Sequence, residues 1–394
     1  MLSFTQGHYL AHIRSSYNSK NLAATRRTPH LARVHLAHLR LRDFRNYARL
    51  DVDFAPGFHL LLGDNAQGKT NILEAIYLMA TLRSFRGVGS AQLIRQGAKG
   101  YFVGGTVIAQ GQNEIKMYWS AAERSLNLNG QAVKKISDYL GALRTVVFCT
   151  EDLQLIKGTG RVRRRFLDLL LSQTQPGYLT LLQRYAQSLR SRNALLKQRT
   201  VDEAALESFS RELIAVGNEI TRQRREIIPR ISPLARLAYR RISNDAEELR
   251  IEYLPSVKKD FAVELAASRA RERSYRATLV GPHRDDMQLD LNVRAAAQFG
   301  SEGQKRSIAI ALKMAQAEYL SGLHSVAPAL LIDDVMGELD AKRRSGFLPL
   351  LEQAHRSRGQ VFMTCTEENW PRELGLELQR WRVNGGTIAK SQAG

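Results

Sequence analysis

The 394-residue chain is short of cysteine, of carboxylates and of long apolar runs, and each shortage removes a class of protein. Its two cysteines, Cys149 and Cys365, lie far apart and without a metal-ligand spacing. That argues against a disulfide scaffold or a zinc site and suits a reducing cytoplasm. No apolar run approaches the roughly 18 residues of a membrane-spanning helix, so no membrane partner is expected. Asp and Glu number 38 against 58 Lys and Arg, a formal net charge of +20. A protein this basic is expected to meet a polyanion, most often nucleic acid, although a basic proteome with solvated charged faces gives the same balance. Residues 1–42 hold no acid at all. Up to about Arg33 they show no strand alternation, no sustained helical face and no secretory apolar core. A disordered basic arm, a transit-like segment and translated sequence upstream of the native start all fit. The last is the expectation here, because a strand pattern begins only near Val34.

What is present is more specific. Gly63-Asp64-Asn65-Ala66-Gln67-Gly68-Lys69-Thr70 fits G-x-x-x-x-G-K-[ST], the phosphate-cradling P-loop. Gly63 and Gly68 let the backbone curl so that its N–H groups point at phosphate oxygens. Lys69 brings positive charge to the β- and γ-phosphates, and the Thr70 hydroxyl suits Mg²⁺. The flanks agree: Leu60-Leu61-Leu62 reads as a buried strand, and the nine residues from Asn71 to Met79 are apolar at helical spacing. The helix start then adds partial positive charge at the phosphates.

The chain organises around that loop. Leu39 and Leu41 alternate, as do Leu50, Val52 and Phe54, with Phe44-Arg45-Asn46-Tyr47 as the turn between them. Further strands are expected over 101–107 and 115–119, and Asn129-Gly130 marks a hairpin. From about Glu151 the texture becomes helical, with expected interruptions at Pro229 and Pro233 and a break at Leu254-Pro255. Within it, Arg161-Val162-Arg163-Arg164-Arg165 reads equally as a phosphate-backbone contact or as a solvated helix start. From Thr278 the α/β texture returns. The expected division is an N-terminal extension over 1–33, half an ATPase head over 34–150, a helical arm lobe over 151–275 and the other half-head over 276–394.

The second half supplies the missing parts of a nucleotide site. Ala329-Leu330-Leu331-Ile332 ends in Asp333-Asp334, and a carboxylate at the C-terminal end of a central strand faces the ligand crevice. Asp333 is placed to orient Mg²⁺ and Asp334 to position an attacking water. Ser301-Glu302-Gly303-Gln304 opens a helical run and offers free N–H groups and a hydroxyl at a helix start. Alone, that segment is no more than a capping arrangement.

In this order the motifs resemble the ABC-type ATPase head of the SMC and DNA-repair group, and within it the RecF family. The resemblance rests on Phe44-Arg45-Asn46-Tyr47, the P-loop, Gly281-Pro282-His283-Arg284-Asp285-Asp286, the Ser301 segment, Leu331-Ile332-Asp333-Asp334 and Glu338-Leu339-Asp340. It implies an α/β ABC-type P-loop head split by a mainly helical insertion. It also implies ATP held by residues 63–70, with Arg45 and Asn46 approaching the nucleotide and Mg²⁺ at Thr70 and Asp333. Lys69 and Asp334 would be catalytic, and Ser301, Gly303 and Gln304 would reach the γ-phosphate of a second copy. The implied role is a cytoplasmic, ATP-dependent homodimer on single-stranded and gapped double-stranded DNA. It would have weak DNA-dependent ATPase activity, partners of the RecR and RecO type, and a place in repair, replication and the SOS response. Two residues depart from the family pattern: Gly337 stands where the D-loop usually begins with Ser, and Asp334 where ABC heads commonly carry Glu. A Q-loop glutamine and a switch histidine near Met363-Thr364-Cys365-Thr366 are not assigned. Rival readings are a transporter ATPase subunit, an SMC-like structural ATPase and a passive DNA-binding module. The helical insertion and basic charge oppose the first, and the lack of long heptad arms opposes the second.

Overall fold

The computed structural model describes residues 34–109, 111–243, 247–356, 359–366 and 378–391. The extension over 1–33 therefore lies outside the described residues. Two six-stranded sheets face each other across one helix. The first is antiparallel, in the order Tyr47–Asp53, His35–Phe44, Gly100–Ile108, Gln112–Ser120, Arg124–Leu128, Gln131–Ala132. The second runs Thr387–Lys390, Leu378–Asn384, Phe58–Leu62, Val361–Cys365, Ala329–Asp333, Thr145–Phe148 and is parallel except at the Thr387–Lys390 edge. Its strands come from both ends of the chain, so the head assembles only when the two halves meet.

Strand alternation divides the parallel sheet into two apolar faces. Leu61, Val147, Leu331 and Phe362 join helix Lys69–Thr81 and the antiparallel sheet in one core. Leu60, Val146, Leu330, Ile332 and Met363 join helix Glu302–His324 and helix Glu203–Ile242 in the other. Burial on both sides explains why these strands read as unbroken apolar runs. Helix Lys69–Thr81 is buried nearly all round for the same reason.

The helical lobe differs from expectation in three places. Helix Glu203–Ile242 runs through Pro229 and Pro233 without a break. Each proline removes one backbone hydrogen bond. Four residues apart, they share the outer flank of the helix, while Ile227, Ile228, Ile231 and Ala235 stay buried on the inner one. Water can satisfy the freed carbonyls outside, and core packing holds the inside. Second, strand Leu249–Leu254 interrupts the helical texture and pairs with Asp286–Leu291, which also pairs with Arg294–Ala295. Third, the Arg161–165 run is mostly neither of the two things expected of it. Only Arg161 is exposed. Arg163 grips Asp286 through two bonds at 2.6 and 2.8 Å, Arg164 donates to the Asp285 carbonyl, and Arg165 donates to the Ser84 carbonyl at 2.8 Å. The hairpin at Asn129-Gly130 forms as expected, both residues having positive φ (54° and 79°).

Candidate nucleotide site

The P-loop leaves strand Phe58–Leu62 and enters helix Lys69–Thr81, and its two glycines are required by contact as well as by conformation. Gly63 has φ 154°, and a β-carbon there would stand 2.3 Å from the Val383 carbonyl oxygen. Gly68 has φ 113°, and its β-carbon would meet the Asn46 amide at 2.6 Å and the Tyr47 hydroxyl at 2.9 Å. The turn before the antiparallel sheet's second strand therefore packs on the loop. Asn46 Nδ2 donates to the Gln67 carbonyl at 2.9 Å, and Tyr47 Oη to the Gly68 carbonyl at 3.1 Å. From the other side, the N–H of Gly385 donates to Gln67 Oε1 at 2.7 Å.

The loop's donors suit an anion. Gly68 caps the helix without a side-chain hydrogen bond, and the first turn carries no acid. An uncapped helix start without a carboxylate leaves its N–H groups to a ligand such as phosphate. Lys69 Nζ bonds to the loop's own carbonyls, Gly63 at 2.6 Å and Asp64 at 2.8 Å, which holds the charge inside the cradle.

Thr70 and Asp333, 263 residues apart, meet: Thr70 Oγ1 donates to Asp333 Oδ1 at 2.7 Å. Thr364 Oγ1 donates to the same oxygen at 2.9 Å and accepts from the N–H of Asp334 at 3.0 Å. Burial pushes the Asp333 carboxyl above its ordinary range, against the two hydroxyls and the Arg86 charge, which favour the anion. Asp334 is exposed, with a left-handed backbone (φ 54°). The Thr70 hydroxyl and the Asp333 carboxylate are hard oxygen donors of the kind that suits Mg²⁺, which keeps waters and takes substrate phosphates.

Three residues at this site escaped the sequence reading: Thr364, Glu151 and Arg86. Thr364 lies near the end of an apolar strand run and Glu151 three residues beyond another, but neither is a carboxylate at the end of a central strand, so the rule that found Asp333 did not reach them. Glu151 acts on the Asp333 charge, and its neighbour Asp152 pairs with Lys313 of helix Glu302–His324 at 3.0 Å. Arg86 lies in the loop after the P-loop helix and reaches Asn71 Oδ1 at 3.4 Å. No motif in the sequence announced it.

Arg45 and Asn46 are split by the fold. Asn46 touches the P-loop. The Arg45 guanidinium is held by Glu74, fully buried, through bonds of 2.7 and 2.9 Å, and by the Gln92 carbonyl at 3.0 Å.

The RecF/RecN/SMC N terminal domain family model matches residues 35–375. The DNA replication and repair protein RecF of Symbiobacterium thermophilum is 38% identical over 92% of this chain and all of its own length. That of Thermosynechococcus vestitus is 38% identical over 90% of this chain and 97% of its own. The chain belongs to the RecF family. Its structure is similar to that of the recombination mediator protein RecF-ATP in the RecFOR pathway, with TM-score 0.84 at 30% identity over 93% of this chain and all of the other. The Smc head domain of Pyrococcus furiosus shares the fold, with TM-score 0.55 at 17% identity over 91% of this chain and 96% of the other. The fold is thus the ABC-type head of the RecF and SMC group.

In this RecF-family chain the Ser301 segment stands apart from the P-loop. Ser301 caps helix Glu302–His324: its Oγ accepts from Gln304 N at 3.2 Å, and its own N–H donates to Gln304 Oε1 at 2.6 Å. Gln304 also donates to Glu247, which accepts from the Tyr239 hydroxyl. The segment opens on a cleft of about 330 Å³ shared with Asp340, Lys342 and Arg343, and no P-loop residue lines it. Arg343 lies over Gly303 and donates to Ser307 Oγ at 2.9 Å. At Gly337 the nearest atom to an added β-carbon is Asp334 Oδ1 at 3.8 Å, so the family's serine would fit.

Proposed function

We propose that the chain is an ATP-dependent DNA-binding protein of replication and recombinational repair. In this reading ATP brings two copies together head to head around DNA near a single-strand gap, and hydrolysis is slow. The observation that carries it is the Thr70–Asp333 contact, which joins the two halves of the chain at the loop built for phosphate. Bound ATP with Mg²⁺ supplies the phosphate charge that holds two heads together and the bond whose hydrolysis releases them.

The chain's own residues have distinct parts. The N–H groups of residues 63–70 and Lys69 hold the phosphates, and Asn46 braces the loop. Thr70 and Asp333 hold the metal. Asp334, exposed beside them, orients the attacking water. Ser301, which is exposed, and Gly303 and Gln304 behind it serve the nucleotide of the second copy, which agrees with their separation from this chain's P-loop. The net charge of +20 supports phosphate-dominated DNA binding that weakens steeply with salt. Partners of the RecR and RecO type, help in loading recombinase and a cytoplasmic site of action belong to the same reading. None of the described helices is long and apolar enough to cross a membrane.

The test is binding to gapped duplex DNA, with self-association by sedimentation, with and without ATP. The wild type, Lys69→Ala, Ser301→Ala and Ser301→Asp are compared. Ser301→Asp keeps the helix cap while opposing phosphate, which separates lost capping from lost recognition. The expected result is ATP-dependent DNA binding and dimerisation in the wild type alone. Binding and self-association that ignore ATP in all four proteins would leave the passive DNA-binding module as the better reading.

A further inference from the structure

The cleft beside the Ser301 segment holds a hydrogen-bond chain that starts on a different helix. Tyr239 lies in the last turn of helix Glu203–Ile242 and is fully buried, in one core with Ile308 of helix Glu302–His324. Its hydroxyl donates to Glu247 Oε2 at 2.5 Å. Glu247 Oε1 accepts from Gln304 Nε2 at 2.5 Å, and Gln304 Oε1 accepts from the Ser301 N–H at 2.6 Å. Tyr239, Glu247, Gln304 and Ser301 all line the cleft of about 330 Å³. Glu247 is half-buried and stands two residues ahead of strand Leu249–Leu254. The Ser301 segment is thus held from outside its own helix.

The chain runs in one direction. Burial, and then the bond to Glu247, push the Tyr239 hydroxyl above its ordinary range, so it keeps its proton and donates. Its ring is locked in the core and fixes where Glu247 stands. A carboxylate only accepts. The end of the Gln304 amide that faces Glu247 is therefore the NH2, and the carbonyl end is left for the Ser301 N–H. With Ser301 Oγ accepting from Gln304 N at 3.2 Å, the helix cap closes at both ends. Gly303, between them, is covered by Arg343, which Asp340 and Ser307 hold in turn. The segment is gripped on one side through its glycine and on the other through its amide. Without an acceptor at Glu247 the amide is free to turn its NH2 toward the Ser301 N–H, donor against donor, and the cap opens.

We propose that Glu247 is a positioning residue for the Ser301 segment: by orienting the Gln304 amide it holds Ser301 ready for the nucleotide of a second copy. This rests on the head-to-head reading above. Glu247 acts through Gln304, and Tyr239 anchors it.

Full-length wild type, Glu247→Ala, Glu247→Gln and Tyr239→Phe are compared in three measurements. These are ATP-dependent self-association by sedimentation, fluorescent-ATP affinity in dilute protein, and hydrogen exchange of the Ser301 N–H by NMR. Glu247→Ala should weaken the association about tenfold, the scale of one hydrogen bond lost from a fixed site. It should leave the fluorescent-ATP affinity within about twofold, because no P-loop residue lines this cleft. Glu247→Gln should restore most of the association, since its amide oxygen accepts from Gln304 while its NH2 donates to the Tyr239 oxygen. Tyr239→Phe should fall between, keeping the acceptor and losing its anchor. The Ser301 N–H should exchange several-fold faster in Glu247→Ala than in the wild type. Wild-type association in Glu247→Ala overturns the proposal. So does a Glu247→Gln protein as weak as Glu247→Ala, or a Ser301 exchange rate that ignores both changes. If Glu247→Ala does not fold, Tyr239→Phe decides, and wild-type association in it is the overturning result. A wild type that ignores ATP overturns the head-to-head reading instead, while the Ser301 exchange rates still show whether Glu247 orients the segment.

Discussion

Two glycine-led turns in this chain are built alike and used in opposite ways. Residues 63–70 and residues 281–286 each begin with a glycine whose left-handed backbone no side chain could share. At Gly281 (φ 130°) a β-carbon would meet the Tyr185 hydroxyl at 2.6 Å and Phe261 at 2.8 Å. Beyond that the two differ. At the P-loop, helix N–H groups, an exposed Asp334 and a lysine held by nothing but backbone carbonyls remain available to a ligand. At the second turn nearly every valence is used. His283 bonds to Tyr185 at 2.7 Å and donates to the Thr278 carbonyl. Asp285, 1% exposed, takes the Ser256 N–H at 2.7 Å, Arg224 at 3.3 Å and the Tyr253 hydroxyl. Asp286 is held by Arg163. A distinctive motif is therefore a ligand site only where it keeps groups to spare. The Gly281 turn is a packed joint among helices Gly160–Thr174, Tyr178–Leu196 and Glu203–Ile242 and strand Leu249–Leu254, and of its six residues only Arg284 is exposed.

The comparison can be broken at several points. The largest effect on stability is expected from Asp285→Ala, which leaves the Ser256 N–H and the buried Tyr253 hydroxyl without their acceptor, while Arg224 keeps its pair with Asp168. A loss of about 2–4 kcal/mol is expected by denaturant melting, with ATP affinity of the folded fraction nearly unchanged. If ATP affinity collapses with stability intact, the joint is a second ligand site. Asp333→Asn should do the reverse. It should lower Mg²⁺-dependent ATP binding roughly 100-fold, about 2.7 kcal/mol, in a fluorescent-nucleotide titration. The melting temperature should stay close to wild type. Because burial raises the Asp333 carboxyl, that affinity should fall as the pH drops, at a higher pH than an ordinary carboxylate would give.

Acid should loosen both regions. His59 and His283 are each held neutral by burial and lowered to about 4. His59 donates to the Ala55 carbonyl and accepts from the Trp381 indole, an arrangement that fits one neutral tautomer. For a base depressed in the fold, the unfolded chain binds more protons below its ordinary value of 6.5. Stability is then complete above about 6.5 and is lost as the pH falls toward about 4, by a few kcal/mol in all. His59→Gln and His283→Gln melts against pH would apportion the loss between head and joint. Arg284→Ala should leave stability unchanged and lower the salt slope of DNA binding by about 1, if this exposed cation meets a phosphate. The smallest effect is expected of Gly337→Ser, which has room and should change ATP turnover only a few-fold.

The nucleotide side was the legible part of the sequence because its requirements are local. A P-loop needs a strand, a curled glycine loop and a helix start, all within a few residues, and Asp333 needs only an apolar run before it. Tertiary contact decided what those residues meet. Thr364 and Glu151 came into view only when parallel pairing aligned the ends of three strands. Arg45 proved to belong to Glu74. The prolines of helix Glu203–Ile242 were read by their local cost, and long-range packing overrode it. The arginine run was read as surface because charge alone does not reveal that Asp286, more than a hundred residues away, sits beside it.

By itself, then, the sequence determined that residues 63–70 form a loop of the phosphate-cradling type between a strand and a helix, that the head draws on both ends of the chain, and that the chain's charge favours a polyanion. These follow from short-range backbone geometry and from composition, which do not depend on the rest of the fold. Only the tertiary structure decided which charged residues remain available. Availability depends on partners brought together from distant parts of the chain, and a charge that is buried and paired reads the same in sequence as one that waits for a ligand.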